Sequence, residues 1–327
     1  MNGSIDFLAV VSRPDFPSGS GPVGDYYNLR ALIDCHPDWN AAVLELNSRP
    51  TSVEWDGRSF VVSQEGLPPI DLAEVAVALY LPICLEVEET PLCPVDPNGA
   101  WPRFAAEQWR PVTAAFEHRL STGRCLNRPD RVRVTNNKLL QYEVLRSAGF
   151  SLPPTVVCGG FPRHALLGGA DSLVAKNVSE GGWKSPEEFS PARVLSRLDA
   201  TDPWPTIWQA PITSGRELRF YVMGDEVTVV ELDRHPDTID VRATNAGKPT
   251  ARITDVPHTW TTRVVAMTRS LGLDYSVVDV LPTGDELHVL EVNANGVWWF
   301  LPDDVATVLS ERFHRWIAGH VASAMRS

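Results

Sequence analysis

An α/β (α+β) fold is predicted for this 327-residue chain by three observations. The opening run Ile5-Asp6-Phe7-Leu8-Ala9-Val10-Val11 reads as a buried strand, and Asp25-Tyr26-Tyr27-Asn28-Leu29-Arg30-Ala31-Leu32 carries apolar residues at helical spacing. Farther on, short apolar strands are interleaved with amphipathic helices. Two late strand pairs close on glycine turns, Gly224-Asp225 and Pro282-Thr283-Gly284-Asp285, as hairpins do.

Ala42 to Leu46 and Val75 to Tyr80 continue the strand pattern. A weaker pair, Ser52 to Trp55 and Arg58 to Val62, flanks an Asp56-Gly57 turn. Trp101 to Leu120 reads as a helix anchored by Phe104, Trp109, Val112 and Phe116, with Pro111 starting or kinking a turn. An amphipathic helix is predicted from Asn136 to Ala148, stopped by Gly149, with Lys138 at its start. Strands come next at Leu152 to Cys158 and Ser172 to Lys176, then a hinge at Thr206 to Ile212. Glu217 to Val230 forms two strands, and a helix from Asp304 to Met325 closes the chain. Three segments are expected: residues 1–125, 126–206 and 207–327.

Composition narrows the function. The net charge is −12, from 29 basic and 41 acidic residues, which disfavours a general nucleic-acid or anionic-membrane binder. No apolar stretch reaches the roughly 20 residues of a membrane span, and the start lacks a basic leader, so a cytoplasmic protein is expected. The five cysteines, Cys35, Cys84, Cys93, Cys125 and Cys158, are odd in number with no Cys-x-x-Cys spacing, which suggests neither zinc nor a disulfide framework. The eight histidines show no metal-binding spacing either. A homodimer is left open.

The run Leu290-Glu291-Val292-Asn293-Ala294-Asn295-Gly296 ends an apolar strand in an acid, an amide and a glycine. A hairpin with Tyr275 to Leu281 would bring Asp279 to Glu291 and Asn293, whose side chains share one strand face. Such oxygen donors suit magnesium, which shares its shell with waters and phosphates. Lys176 closes a strand before Gly181-Gly182, an arrangement suited to phosphate because loop amides approach closely. Taken singly, Asp279 also fits a solvated strand acid and Lys176 an edge lysine that snorkels to water.

The order of these pieces is more specific than any one of them. A lysine at a helix start, a lysine before Gly-Gly, a hinge, Glu217-Leu218-Arg219, then Asp279 and Glu291-x-Asn293 together resemble the ATP-grasp superfamily over roughly residues 126–301. The segment before it looks like that superfamily's preceding α/β domain. "NNKLLQYEVLRSAGFSLPPT" resembles both the peptide-maturing branch and the glutamate ligases that modify a ribosomal protein. "LEVNANGVWWF" is similar to the microviridin-type maturases that cross-link side chains of ribosomally made peptides, the graspetide synthetases.

The resemblance implies an ATP-dependent ligase that activates a carboxylate as an acyl phosphate and forms an ester or amide bond. Its partner would be a precursor peptide; the alternative is a ligase joining small carboxylates and amines. A nucleotide-binding scaffold without turnover is a third reading. ATP and Mg2+ are the implied cofactors. Lys138 and Lys176 would hold the α- and β-phosphates under the Gly181-Gly182 loop, and Asp279, Glu291 and Asn293 would hold magnesium. Arg219, Arg242 and Asn245 would face the transferred phosphoryl group and the substrate. Gln209, Ala210 and Ile212 would bind adenine, through backbone groups at Ala210 and Ile212, since relatives commonly carry an acid where Ala210 stands; Glu217 is then the acid nearest the ribose. Trp298 and Trp299 are candidate linings of an acceptor pocket.

Overall fold

The computed structural model describes residues 4–12, 25–46, 51–81, 102–162, 167, 172–178, 183–185, 188–190, 192–196, 204–212, 216–233, 249–298 and 300–326. The chain divides into two compact units. One comprises Met1–Arg133, Gly272–Asp274 and Val308–Ser327, the other Val134–Leu271 and Tyr275–Thr307.

In the first unit, β1 (Ile5–Ser12), α1 (Asp25–Asp34) and β2 (Ala41–Leu46) form the expected β-α-β opening. A small antiparallel sheet comes next, of β3 (Thr51–Trp55), β4 (Phe60–Gln64) and β5 (Ile70–Asp71). Then come β6 (Val75–Leu81), α2 (Pro102–Thr122) and β7 (Cys125–Leu126). The main sheet runs β2-β1-β6-β7, all parallel. Phe7, Leu8, Ala9 and Val10 are wholly buried in its centre, which explains why that strand reads as a continuous apolar run rather than an alternation. The helix α2 runs through Pro111 without ending there.

Asn127 stands at φ 53, its side chain accepting from the Asp274 amide at 2.9 Å. Asparagine tolerates the left-handed region because its short amide bonds locally. The helix predicted from Asn136 is α4 (Lys138–Ser147), and a further helix that the sequence did not announce, α3 (Pro129–Asn136), runs directly into it. Asn137 stops one and caps the other: its backbone is extended and Oδ1 accepts from the amides of Leu139 and Leu140 at 3.1 and 3.2 Å.

The second unit holds two sheets that matter for function. The first has the order β12-β9-β13-β8, with β8 (Thr155–Cys158), β9 (Ser172–Asn177), β12 (Ala192–Ser196) and β13 (Thr206–Gln209). A two-stranded ribbon, β10 (Trp183–Ser185) and β11 (Glu188–Ser190), lies between β9 and β12 in sequence. The residues expected to begin a hinge at Thr206 are therefore a buried strand, ending at Gln209. One face of this sheet packs Leu173, Ala175, Trp208 and Leu167 into an apolar cluster.

The second sheet is antiparallel, β16-β15-β14-β17-β18, from β14 (Glu217–Met223), β15 (Glu226–Leu232), β16 (Ala251–Ile253), β17 (Tyr275–Thr283) and β18 (Glu286–Asn293). The hairpin turns fall at Gly224 and Gly284, with φ 63 and 61, where an L side chain would be strained. The helix α5 (His258–Ser270) covers one face, burying Val264 and Met267 against Phe220, Val278 and Val280. The helix α6 (Asp303–Ala324) comes last.

Candidate functional site

In β14 and β17 the apolar residues Leu218, Phe220, Val222, Val278 and Val280 alternate with Glu217, Arg219, Tyr221, Val277 and Asp279. Strand geometry sends the two sets to opposite faces. The first set lies under α5, and the second forms a face bearing charge. In register across three strands stand Arg219, Asp279 and Glu291, with Asn293 opposite Val277.

A β-bulge makes that row possible. Asp279 pairs with Glu291, but its neighbour Val280 pairs with Val289, so Leu290 is an extra residue on β18. An inserted residue reverses which face the following side chains take. Leu287 and Val289 are buried, then Val292 and Ala294, so the burial parity slips by one across the bulge. Without it, Glu291 would share a face with Val289 instead of facing the same side as Asp279.

Arg219 holds Asp279 in a two-pronged ion pair, with Nε–Oδ1 at 2.7 Å and Nη2 donating to Oδ2 at 2.8 Å. Both groups are almost wholly buried. Burial by itself would lower the Arg219 pKa, but Asp279, with Tyr221 and Glu217, outweighs it and holds the guanidinium well above its usual range. Asn293 donates from Nδ2 to Asp279 Oδ2 at 3.4 Å, which leaves its carbonyl Oδ1 to meet a cation. Phe300 lies under the guanidinium, 5.0 Å from ring centre to Cζ.

The two lysines converge on this row. Lys138 occupies the first position of α4, 6% exposed, with Nζ 3.9 Å from Glu291 Oε2. A buried ammonium at a helix N-terminus opposes the helix dipole, an unfavourable placement that an anion would relieve. Lys176 lies on the face of its sheet opposite the apolar cluster, paired in register with Ile207. Burial lowers its pKa most; Glu291 raises it, Lys138 lowers it, and Asp279 and Glu217 raise it, leaving it depressed. Glu291 thus bears on both lysines.

Gln209 ends β13 and is buried, its Nε2 donating to Thr155 Oγ1 at 3.0 Å and to the Tyr142 hydroxyl at 3.3 Å. Ala210 turns its methyl onto the Trp208 cluster, so its backbone is what it can offer a ligand. Ile212 is half-buried, and Glu217 is buried at the start of β14. Gly181, Gly182, Arg242, Asn245 and Trp299 lie outside the described residues. Trp298 corrects an expectation: it is 2% exposed, packed edge-on against Tyr221 and Tyr275, and lines no open pocket. Gly296 beside it has no room for a side chain, since a Cβ would fall 2.3 Å from Val277 Cγ2.

The donor set fits magnesium. Asp279, Glu291 and Asn293 offer hard oxygens, and among the described residues no group of three or more His, Cys, Asp or Glu could hold a metal unaided. Two carboxylates and one carboxamide would leave most of a magnesium shell to waters and phosphates.

No protein-family model matches the sequence, and no curated protein does. Solved structures match over nearly the whole chain. The macrocyclase MdnC of Microcystis aeruginosa MRC, bound with precursor peptide MdnA, has a TM-score of 0.72 at 18% identity, covering 96% of this chain and 99% of its own. A RiPP-associated ATP-grasp ligase of Chryseobacterium gregarium, in complex with ADP and a leader and core peptide, scores 0.67 at 16%, covering 96% and 97%. The ATP-grasp ligase PsnB, complexed with minimal precursor, Mg and ADP, scores 0.65 at 18%, covering 97% and 99%. The chain has an ATP-grasp fold.

Sequence reasoning did not single out Gln141, Tyr142 or Phe300 within this ATP-grasp fold. Gln141 is 1% exposed, and its one mark in the sequence is its spacing from Leu145, four residues on along the buried face of α4, where an amide must find partners.

Proposed function

We propose that this ATP-grasp protein is an ATP-dependent ligase that activates a carboxylate as an acyl phosphate. It then forms ester or amide bonds between side chains of a ribosomally made precursor peptide. The observation that carries the reading is the in-register row Arg219, Asp279 and Glu291, with Lys138 3.9 Å from Glu291. The peptide substrate is supported by the solved structures of similar fold, which hold precursor peptides and ADP.

In the first step a substrate carboxylate oxygen attacks the γ-phosphorus of ATP, the bond to the β,γ-bridging oxygen breaks, and ADP leaves. A hydroxyl or amine then attacks the acyl carbon, inorganic phosphate departs, and the nucleophile's proton is released. Lys138 and Lys176 hold the α- and β-phosphates, relieving the unfavourable burial of their own charges. Asp279, Glu291 and Asn293 hold Mg2+, which supplies positive charge to the phosphate oxygens when bound. Asp279 can serve while paired to Arg219, because each carboxylate oxygen has a second lone pair.

Arg219, with two nitrogens fixed on Asp279, presents Nη1 to the transferred phosphoryl group. Arg242 and Asn245 are assigned to the acyl phosphate and the acceptor. Gln209, Ala210 and Ile212 hold adenine, Glu217 the ribose, and Gly181 and Gly182 cover the phosphates, excluding water that would hydrolyse the acyl phosphate. A cytoplasmic setting, where ATP and magnesium are supplied, fits this chemistry. Among the described residues no helix is long and apolar enough to cross a membrane.

The reading is tested by incubating the purified protein with ATP, Mg2+ and a candidate precursor peptide encoded beside its gene. Mass spectrometry is expected to show loss of one water per ring closed. ATP-dependent joining of free amino acids, with every such peptide unchanged, would instead establish the small-molecule ligase.

Lys176 gives a prediction of its own. Its depressed folded-state pKa means that the unfolded chain binds more protons between that value and the ordinary lysine pKa of about 10.5. Stability of the nucleotide-free protein therefore rises with pH through that window. Lys176→Met is expected to flatten this rise and to stabilise the nucleotide-free protein at neutral pH. It should also weaken ATP binding about 10- to 100-fold, the worth of one charge-assisted bond. Urea unfolding across pH and calorimetric titration measure the two effects, and an unchanged dissociation constant would remove Lys176 from the nucleotide site.

A further inference from the structure

The strand β18 lies at the end of its sheet, so β17 satisfies only one of its edges. The other edge must find partners, because buried peptide groups without them are costly. It finds them in α4 and in the chain just after it. The Val292 amide donates to Gln141 Oε1 at 3.0 Å, and Gln141 Nε2 donates back to the Val292 carbonyl at 2.8 Å. A carboxamide carries the same donor and acceptor as a peptide group, so Gln141 acts as one residue of an added strand. Its second N–H donates to the Thr135 carbonyl at 2.6 Å, which fixes the amide's orientation.

The neighbouring bonds lie along the same edge. Tyr142 donates from its hydroxyl to the Leu290 carbonyl at 3.2 Å, and the Val289 amide donates to the Ser151 carbonyl at 3.1 Å. Lys138, one turn before Gln141 and on the same helix face, reaches Glu291. Three residues of one helix face, Lys138, Gln141 and Tyr142, thus meet three consecutive residues of β18. They do so beside the bulge at Leu290, where the ladder to β17 is interrupted for one residue before it resumes at Glu291.

We infer that Gln141 is a positioning residue for the metal ligands: by clamping the backbone of Val292 it sets the placement of Glu291 and Asn293, the residues on either side. The inference rests on the assignment of those two residues to magnesium. The carboxamide of Gln141 is itself engaged by Val292 and Thr135, which leaves the holding of metal and nucleotide to its neighbours. It also joins the phosphate lysine to the metal ligands through the rigid first turns of α4, so that both halves of the nucleotide site keep a fixed spacing.

The test uses full-length protein, ADP, and Mn2+ in place of Mg2+. Gln141→Met keeps the length of the side chain and loses both bonds to Val292; Gln141→Glu keeps only the acceptor for its amide. ADP affinity in EDTA is expected to stay unchanged in both, while Mn2+ affinity of the ADP-saturated protein, read by electron paramagnetic resonance, falls about 10- to 100-fold in Gln141→Met. Gln141→Glu should fall between it and the native protein. In the native protein the Val292 amide should exchange with solvent as slowly as the central strands do.

A folded Gln141→Met with native Mn2+ affinity would overturn the inference and leave the assignment of Glu291 and Asn293 standing. Native protein that binds ADP but no Mn2+ would overturn that assignment and the inference with it. Should Gln141→Met fail to fold, Gln141→Glu and the exchange rate decide: native Mn2+ affinity in the former, or rapid exchange at Val292, overturns the role.

Discussion

Glu291→Gln is expected to lower ATP turnover by about 10²- to 10³-fold while the fold persists, a loss typical of removing one preorganised electrostatic group. The substitution keeps the shape of the side chain and the backbone pairing of Glu291 with Asp279. It removes the negative charge 3.9 Å from Lys138 that also raises the pKa of Lys176. Two buried ammoniums then lose a shared counter-charge, and the phosphates of a nucleotide become the nearest replacement. ADP binding without magnesium should therefore survive in the variant, while the dependence of affinity on Mg2+ disappears. Calorimetry with and without EDTA separates these, and turnover is followed by ADP release. Wild-type ADP release from purified Glu291→Gln would show that Glu291 is not a metal ligand.

The parts of this site legible in the sequence are those written locally. Asp279, Glu291 and Asn293 lie in two strand patterns joined by a short glycine turn, so the hairpin and the face that Glu291 shares with Asn293 emerge from spacing alone. The opening β-α-β unit was legible for the same reason. The features that escaped depend on distant partners or on single-residue irregularities. Gln141 sits in a helix pattern whose polar positions normally face water, and its partner Val292 is 151 residues away. The short helix α3 escaped because its two aliphatic residues, Val132 and Val134, are spaced two apart, as in a strand. The bulge at Leu290 does leave a trace, the adjacent Val289-Leu290 pair that interrupts strict alternation, but a second apolar residue in a strand also fits a strand buried on both faces. Trp298 misled because an aromatic after a metal motif suits a pocket as well as a core. Its burial against Tyr221 and Tyr275 is permitted by Gly296, which lets the chain lie directly on Val277.

The largest effect on stability is expected at the pair beneath that row. Arg219 and Asp279 are both buried, with N–O distances of 2.7 and 2.8 Å, and removing one leaves the other charged in a poorly solvated place. Arg219→Met or Asp279→Leu alone should each cost about 3–5 kcal/mol in urea unfolding. The double variant should regain most of that loss, because apolar residues of similar size replace a buried ion pair at little net cost. The surroundings favour recovery: Phe300 already packs on the guanidinium face, and Val230 pairs with Arg219 in register. Turnover should not return in the double variant, since the acid proposed to meet magnesium and the arginine proposed to face the phosphoryl group are both gone. Recovery of stability without recovery of activity would mean that the pair is retained for chemistry, with Asp279 oriented by Arg219 before nucleotide arrives. A double variant as unstable as the singles would instead make the ion pair a structural requirement of the sheet, and the orientation of Asp279 a by-product of folding.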